Sequence, residues 1–326
     1  MKIKRVGFGG IPIQRITQED TNKVIDELVK QNMNFIDTAR GYTISEEYIG
    51  NAIEGKRDKF YIATKSMSRT YEGMKKDIEI SLKNLKTNYI DLYQIHNLKE
   101  EEYDTIFDND KAYKALLEAK EEGKIKHIGI TSHSLETIKR AVKDEKFETI
   151  QFPYNIVEDQ ADEVFKKAHE KGIGTITMKP LAGGAIEDGA LAIKYILSKD
   201  YIDVAIPGMN TVKQVIENVS VLENPLLIEE DNKKIEKIRK ELSGNFCRRC
   251  EYCMPCPNNV NIPQNFLLEG YYTRYNLKEW ALERYEVLGD SKASKCIECG
   301  VCETKCPYNL SIINMLKNVC DKLENK

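Results

Sequence analysis

Eight of the nine cysteines lie in two short runs near the C-terminal end of the chain. The first run has the spacing C-x2-C-x2-C-x2-C-P and consists of Cys247, Cys250, Cys253 and Cys256. The second has the spacing C-x2-C-x2-C-x3-C-P and consists of Cys296, Cys299, Cys302 and Cys306. Thiolates are soft ligands, and three from one loop with a fourth from elsewhere can hold a cubane of iron and sulfide. We therefore expect two [4Fe–4S] clusters and redox chemistry.

The second run resembles the cysteine motif of bacterial two-cluster ferredoxins. In such proteins the fourth cysteine of each run binds the other cluster. The resemblance implies that the first cluster is held by Cys247, Cys250, Cys253 and Cys306. It implies that the second is held by Cys296, Cys299, Cys302 and Cys256.

Two other uses of the cysteines are less consistent with this spacing. Structural zinc sites usually have two C-x2-C pairs with a longer spacer between them. Disulfides suit secreted chains, whereas the N-terminus shows no secretory signal and 326 residues can form a sufficient core. Cys320 belongs to neither run, and we expect it to be a small buried side chain on the last helix.

Composition restricts the other functions. No apolar run reaches the about 18–20 residues that cross a bilayer, so we expect a soluble chain without membrane partners. The net charge of −3 gives no reason to expect nucleic-acid binding. The many thiols and the clusters predict a reducing, cytoplasmic location.

The pattern before the cysteines alternates short apolar runs with amphipathic helices. Eight strands are predicted, at 6–11, 34–39, 60–64, 90–95, 127–131, 149–153, 174–178 and 203–206. Predicted helices include 21–33, 71–85 and 112–122, with Ser45 and Thr211 as N-caps and with Gly123 and Gly172 after helix ends. Eight such units favour an α/β fold, a (β/α)8 TIM barrel over 1–243. The remainder, 244–326, is predicted to be a small α-helical, ferredoxin-like domain.

Polar residues follow several predicted strands, where a parallel barrel carries its chemistry. The stretches FIDTARGY (35–42), ATK (63–65) and DLYQIH (91–96) resemble the aldo-keto reductase family. That resemblance implies a catalytic tetrad of Asp37, Tyr42, Lys65 and His96. The tail resembles the ferredoxin-type module that one branch of this family carries.

The proposed tetrad is chemically sensible. A phenol with a pKa of about 10 donates a proton poorly at pH 7 unless a nearby cation favours its ionised form. Lys65 would supply that cation, and Asp37 would orient it. His96 would donate a hydrogen bond to the developing alkoxide, while Tyr42 protonates the carbonyl oxygen.

The resemblance also suggests residues that bind a cofactor. Our candidates are Ser132, Gln151, Asn155, Met178, Lys179, Gly208, Glu217 and Asn218. Met178 stands where the family usually has an aromatic residue, and Gly208, Met209 and Gln214 stand where it grips the 2′-phosphate of NADPH. Because a phosphate is best bound by a cationic fork, we expect NADH rather than NADPH.

Three functions are open at this point. The first is an oxidoreductase that reduces a carbonyl or oxidises the alcohol, coupled to the clusters, with a small-molecule substrate and a partner such as a ferredoxin or flavodoxin. The second is an FMN-dependent electron-transfer reductase acting on a non-carbonyl substrate, with the FMN phosphate near Lys179 and Gly208. The third is a redox-sensing protein that uses a reductase fold without turnover.

Overall fold

The computed structural model describes residues 2–242, 246–248, 252–273, 278–306 and 308–325. Two compact units divide the chain. The first comprises Met1–Leu181 and Asp188–Asp231, and the second comprises Ala182–Glu187 and Asn232–Lys326. The predicted boundary at 243/244 lies outside the described residues, as do Cys250 and Pro307. No helix in the described ranges is both long enough and apolar enough to span a membrane.

Eight parallel strands form the centre of the first unit. They are β1 (Phe8–Gly9), β2 (Phe35–Asp37), β3 (Tyr61–Ser66), β4 (Ile90–Ile95), β5 (Ile125–Thr131), β6 (Thr149–Pro153), β7 (Gly174–Met178) and β8 (Val204–Ala205). Each strand pairs with the next in sequence order. Parallel bridges from Val6 to Ala205 and from Gly9 to Gly208 join the two ends of the sheet. The predicted (β/α)8 barrel is confirmed.

Helices follow the strands along the chain. They are α1 (Gln18–Lys30), α2 (Ser45–Ala52), α3 (Tyr71–Asn84), α4 (Ala112–Glu121), α5 (Leu135–Asp144), α6 (Asp162–Glu170), α7 (Gly189–Leu197), α8 (Val212–Ser220) and α9 (Glu229–Leu242). Gly123 and Gly172 have φ of 75° and 71°, which suits the residue after a helix end. Thr211 caps α8 through a reciprocal pair of hydrogen bonds with Gln214, as predicted.

Two local expectations were wrong. Ser45 is the first residue of α2 rather than its cap, because its hydroxyl donates instead to the Gly10 carbonyl at 2.9 Å. The helix predicted at 21–33 begins earlier, at Gln18, because the Thr17 hydroxyl accepts a hydrogen bond from the Asp20 N–H at 3.1 Å. In both cases a nearby hydroxyl decided the boundary, and the apolar pattern did not show it.

The barrel interior is layered. An apolar layer is formed by Phe35, Ala63, Leu92, Ile176, Val204 and Ile206. Residues two positions apart in a strand face the same side, so the next interior positions along β2, β3 and β4 are Asp37, Lys65 and Gln94. All three are buried. The polar layer therefore lies toward the carboxyl ends of the strands, above an apolar floor.

The second unit contains, besides most of α9, the helices α10 (Ile262–Thr273), α11 (Lys278–Val287), α12 (Val301–Lys305) and α13 (Ile312–Leu323). α13 begins and ends fifty residues after α10 (262 to 312, and 273 to 323). Before each of these helices an asparagine has a left-handed backbone, with φ of 59° at Asn259 and 50° at Asn309. Each asparagine N–H donates to the carbonyl of the last cysteine of its run. The two runs thus belong to an internal repeat.

Both halves of the repeat contribute to one core. The buried residues at matching positions are Val260 and Leu310, Ile262 and Ile312, and Phe266 and Leu316. Tyr285 on α11 is also fully buried in this core. Aromatic side chains between the two cysteine runs, Phe266 and Tyr285, thus form part of the core of the second unit.

One glycine is required by the close contact of α2 and α3. A Cβ at Gly50 would lie 2.0 Å from the Asn84 carbonyl oxygen and 2.8 Å from the Leu85 Cα, both backbone atoms that cannot turn aside. We expect Gly50→Ala to lower the free energy of unfolding by about 1–3 kcal/mol. Gly189→Ala, whose Cβ would meet only ordinary contacts, should change it by less than about 1 kcal/mol. Anaerobic denaturant titration measures both, and equal effects would contradict this packing.

Candidate active site

The Lys65 ammonium is buried at the carboxyl end of β3, with 1% of the residue exposed. Its Nζ lies 2.5 Å from Asp37 Oδ1 and 2.8 Å from the Thr38 carbonyl oxygen. Its remaining hydrogen-bond partner is the Tyr42 side chain, and Nζ lies 5.1 Å from the centre of the Tyr42 ring. An ammonium has three N–H groups. All three are therefore used, and one is directed to the phenol.

The pair formed by Lys65 and Asp37 is charged. Burial raises the pKa of Asp37, and the Lys65 charge opposes that rise. Burial lowers the pKa of Lys65, but attraction to Asp37 and Tyr42 outweighs it, so the pKa of Lys65 is raised. Asp37 receives hydrogen bonds from Lys65, Gln94 and Gln151. Because a carboxylate only accepts, three donors around Asp37 fit its ionised form.

Gln94 is a member of this site that the sequence analysis missed. It pairs in register with Lys65, and its Nε2 donates to Asp37 Oδ2 at 3.2 Å. Gly129 on β5 provides the space that the Gln94 side chain occupies, since a Cβ there would lie 3.0 Å from Gln94 Cγ and 2.2 Å from Thr149 Oγ1. Its position in the sequence could have indicated this role. Gln94 lies two residues before His96, and residues two apart in an extended segment face the same side.

His96 faces Tyr42 edge-on, with ring centres 6.0 Å apart and planes at 88°. Its Nδ1 is buried and has no hydrogen-bond partner among the described residues. Burial lowers the pKa of His96 to about 3, with smaller contributions from the Lys65 and Arg69 charges. The imidazole is therefore neutral near pH 7. The structure thus brings Asp37, Tyr42, Lys65 and His96 together.

The cofactor candidates near β5 and β6 differ in whether their polar side-chain atoms already have hydrogen-bond partners in the protein. Gln151 is buried beside Asp37, and its Oε1 has no partner within the described part of the chain. The Ser132 hydroxyl instead donates to the Leu98 carbonyl at 2.7 Å. The Asn155 amide donates to Glu158 Oε2 at 2.7 Å and to the Lys179 carbonyl at 3.0 Å. Gln151 therefore has an open acceptor, whereas Ser132 and Asn155 hold nearby segments in place.

Lys179 takes part in a chain of two hydrogen bonds that the sequence analysis did not predict. Its Nζ lies 2.7 Å from His133 Nε2, and His133 Nδ1 lies 2.8 Å from Asn97 Oδ1. Because an ammonium can only donate, Nε2 accepts and the Nδ1–H donates to Asn97. Met178, which ends β7, is partly buried.

The remaining candidates lie beyond β8. A Cβ at Gly208 would lie 2.9 Å from Pro12 Cγ, so this glycine permits a close backbone approach. Glu217 and Asn218 lie on α8, where Glu217 is exposed and 3.5 Å from Lys213 Nζ. The Gln214 side-chain oxygen accepts from the Asn210 N–H at 2.8 Å and thus caps α8.

In the second unit, six of the predicted ligand cysteines lie in or against its apolar core, namely Cys247, Cys253, Cys256, Cys296, Cys302 and Cys306. Cys299 is exposed, and Cys250 is outside the described residues. Within the described ranges no three Cys, His, Asp or Glu side chains converge on a single-ion site. A cubane binds each thiolate at a separate iron, so its ligands stand further apart than those of one ion. Thiolates at the edge of an apolar core fit that group.

Cys320 lies on α13, as predicted, and is partly buried. It borders a cavity of about 180 Å³ that Cys296 also lines. The ninth cysteine is therefore close to one of the predicted cluster ligands, although the sequence pattern does not include it.

Comparison with known proteins identifies both units. Residues 5–190 match the model of the aldo/keto reductase family, and residues 246–311 match a 4Fe-4S dicluster domain. The chain therefore belongs to the aldo/keto reductase family, is an oxidoreductase, and carries a 4Fe-4S dicluster domain at its C-terminal end. The family typically binds NAD(P)H, and neither match points to a flavin.

Relatives agree with this assignment. The uncharacterized oxidoreductase YqkF of Bacillus subtilis is 27% identical over 237 residues, covering 68% of this chain and 75% of that protein. L-galactose dehydrogenase of Arabidopsis thaliana is 25% identical over 273 residues, covering 68% and 85%. The holo form of the aldo-keto reductase AKR11C1 from Bacillus halodurans superposes with a TM-score of 0.63 at 25% identity, covering 73% of this chain and 93% of that one.

The buried neutral state of His96 predicts a dependence of stability on pH. In the unfolded chain a histidine takes up a proton below about pH 6.5, whereas folded His96 does so only near pH 3. Stability from this group is complete above pH 6.5 and falls as the pH drops toward 3, by at most about 1.4 kcal/mol per pH unit. We expect His96→Asn to flatten the fall between pH 7 and pH 5 in chemical denaturation. His169→Asn, at an exposed site, should leave the slope unchanged, and a common slope would contradict the assignment.

Proposed function

We propose that the barrel reduces a carbonyl compound to an alcohol, or catalyses the reverse oxidation, with Tyr42 as the general acid or base. The observation that carries this proposal is the Lys65 ammonium, held between Asp37 and Tyr42 in a buried site. A cation beside a phenol favours its ionised form and makes it a better proton donor. Because burial strengthens electrostatic interactions, this effect is larger here than it would be at a surface.

The steps balance with one proton and one hydride. The hydride would form a C–H bond at the carbonyl carbon as the C=O π bond breaks. The Tyr42 O–H bond breaks as well, and its proton forms a new O–H bond at the carbonyl oxygen. The negative charge left on the phenolate is stabilised by Lys65, which Asp37 holds in place. In the oxidation direction the phenolate takes the proton back.

His96 is proposed to orient the substrate oxygen. Since the imidazole is neutral near pH 7, it carries one N–H, and that group can donate to the oxygen on which charge develops. A protonated imidazole would compete with Tyr42 as the acid. The lowered pKa of His96 therefore leaves the proton transfer to Tyr42.

A nicotinamide cofactor, when bound, supplies the hydride. Gln151 fits it, because its buried Oε1 offers an acceptor to an amide such as the nicotinamide carboxamide. We propose NADH rather than NADPH, because Gly208, Met209 and Gln214 replace the residues that hold the 2′-phosphate. Gln214 is moreover committed to capping α8.

The dicluster domain is proposed to exchange single electrons with a small redox protein such as a ferredoxin or flavodoxin, each electron reducing or oxidising one of the protein's own clusters. The hydride transfer in the barrel balances without these electrons. The proposed ligand sets are the crossed ones, Cys247, Cys250, Cys253 and Cys306 for one cluster and Cys296, Cys299, Cys302 and Cys256 for the other. Each run is followed by the same turn and helix, so the two runs are equivalent and both fourth cysteines are proposed to follow the same rule.

Replacing the acid tests the barrel chemistry. We expect Tyr42→Phe to lower kcat at least about 100-fold, because the proton donor is lost, while iron content and the visible absorbance of the clusters stay unchanged. Tyr48→Phe, on α2, is the matched control and should retain wild-type turnover. Rates are measured anaerobically with NADH and a panel of aldehydes and ketones.

Undiminished turnover in Tyr42→Phe would remove this mechanism. Flavin released on denaturing the purified protein, together with turnover of a non-carbonyl substrate, would replace it with the FMN-dependent alternative. Cofactor binding with no turnover of any carbonyl would instead favour the redox-sensing role.

Paired substitutions test the crossed ligand sets. Cys306→Ala should remove one cluster and reduce iron from about eight to about four per chain. Adding Cys247→Ala should cause no further loss, because both residues are proposed to bind the same cluster. Adding Cys296→Ala instead should remove the second cluster. The reverse pattern of losses would show that each run holds its own cluster, and Cys320→Ser, the control outside both runs, should retain both.

A further inference from the structure

Glu46 is a buried carboxylate that the proposed mechanism does not use. It lies at the start of α2 with 0% of the residue exposed. Its Oε1 accepts from Thr64 Oγ1 at 2.7 Å and from Ser81 Oγ at 2.8 Å. Its Oε2 accepts from Arg40 Nη1 at 3.1 Å and from Asn84 Nδ2 at 3.2 Å. Four donors from three segments of the chain thus converge on one side chain.

Two of those segments carry the proposed catalytic groups. Arg40 precedes Tyr42 by two residues, and Glu46 follows it by four, so the carboxylate and its ion pair brace both sides of the Tyr42 loop. Thr64 precedes Lys65 on β3. The Arg40 N–H also donates to the Lys65 carbonyl at 3.0 Å, which links the same two segments through the backbone.

The third segment is α3, which carries Ser81 and Asn84. It also supplies Asp77, whose carboxylate lies 3.7 Å from Arg40 Nε. Glu46 therefore connects the Tyr42 loop and the Lys65 strand to α3, one of the outer helices of the barrel, through hydrogen bonds from both Ser81 and Asn84.

The energetic cost of burying the Glu46 carboxylate indicates that it fixes the positions of its neighbours rather than adding stability. Burying a carboxylate and a guanidinium carries a desolvation cost that their attraction often fails to repay, and apolar replacements of similar volume are commonly as stable. A multiply hydrogen-bonded carboxylate does, however, fix the relative position of its donors. A misplacement of about 1 Å at a catalytic group can cost about 100-fold in rate.

We propose that Glu46 is a positioning residue that sets the separation of the Tyr42 hydroxyl and the Lys65 ammonium, through Arg40 on one segment and Thr64 on the other. This inference rests on the proposed function of Tyr42. It adds that the acidity of the phenol depends on a carboxylate that acts through its hydrogen bonds to Arg40 and Thr64.

The chain offers a matched pair of variants. Thr64 and Ser81 donate to the same oxygen of Glu46, both are fully buried, and their distances differ by 0.1 Å (2.7 and 2.8 Å). Only Thr64 is next to Lys65. The Ser81 hydroxyl also pairs with the Tyr93 hydroxyl at 3.2 Å, so Ser81→Ala should lower stability at least as much as Thr64→Val, while only Thr64→Val should affect catalysis.

We expect Thr64→Val to lower kcat at least about tenfold. The alkaline limb of its pH–rate profile should move upward by about one pH unit, because the Tyr42 phenolate loses part of its stabilisation by the Lys65 ammonium. Ser81→Ala leaves the hydrogen bond from Asn84 on α3 to Glu46 in place and should therefore keep the wild-type profile. Thr64→Ser, which restores the hydroxyl, should recover both rate and profile. KM for NADH should be unchanged in all three. Profiles are measured anaerobically, with Tm recorded for each variant.

Equal kinetic effects of Thr64→Val and Ser81→Ala would overturn the proposal, since a purely structural carboxylate would give that result. So would a Thr64→Val profile that matches the wild type. Failure of this proposal can be distinguished from failure of the proposed function. If the proposed function is wrong, Tyr42→Phe retains turnover. If only the role of Glu46 is wrong, Tyr42→Phe is inactive while Thr64→Val behaves like Ser81→Ala or like the wild type.

Discussion

The site depends on keeping one ammonium charged in a place where water cannot reach it. Lys65 is buried, and a lone buried lysine would shed its proton. Asp37 prevents this, and Gln94 and Gln151 in turn satisfy Asp37. The phenol of Tyr42 then completes the coordination of the ammonium. Removing Asp37 or Lys65 would leave the other charge buried without its partner, so the two charges are stable only as a pair.

A parallel barrel is well suited to this arrangement. Its strands bring residues that are distant in sequence to one level, as Lys65 and Gln94 show by their direct register. The apolar layer below them excludes water, and the small residue at Gly129 provides the space that the glutamine needs. The loop that carries Tyr42 is not part of this sheet. It needs separate bracing, and the hydrogen bonds of Ser45 and the ion pair of Arg40 supply it.

Much of the fold could be predicted from the sequence, because strands covered on both faces are almost continuously apolar. The runs at 149–153 and 174–178 coincide with β6 and β7. The tetrad was named from motifs at strand ends, and the structure places its members side by side. The rest depended on tertiary contacts. Ser45 resembles a helix cap, but its hydroxyl is engaged by the Gly10 carbonyl, and the roles of His133 and Gln94 emerge only when other strands are placed beside theirs.

The fifty-residue repeat of the second unit has a consequence for its integrity. Both halves contribute to one apolar core, which contains Val260 and Phe266 from the first half and Leu310 and Leu316 from the second, so withdrawing either half would expose part of that core. Neither half is a self-sufficient lobe. Oxidative damage confined to one loop would therefore not stay local, and the duplicated module should be retained or dismantled as a whole.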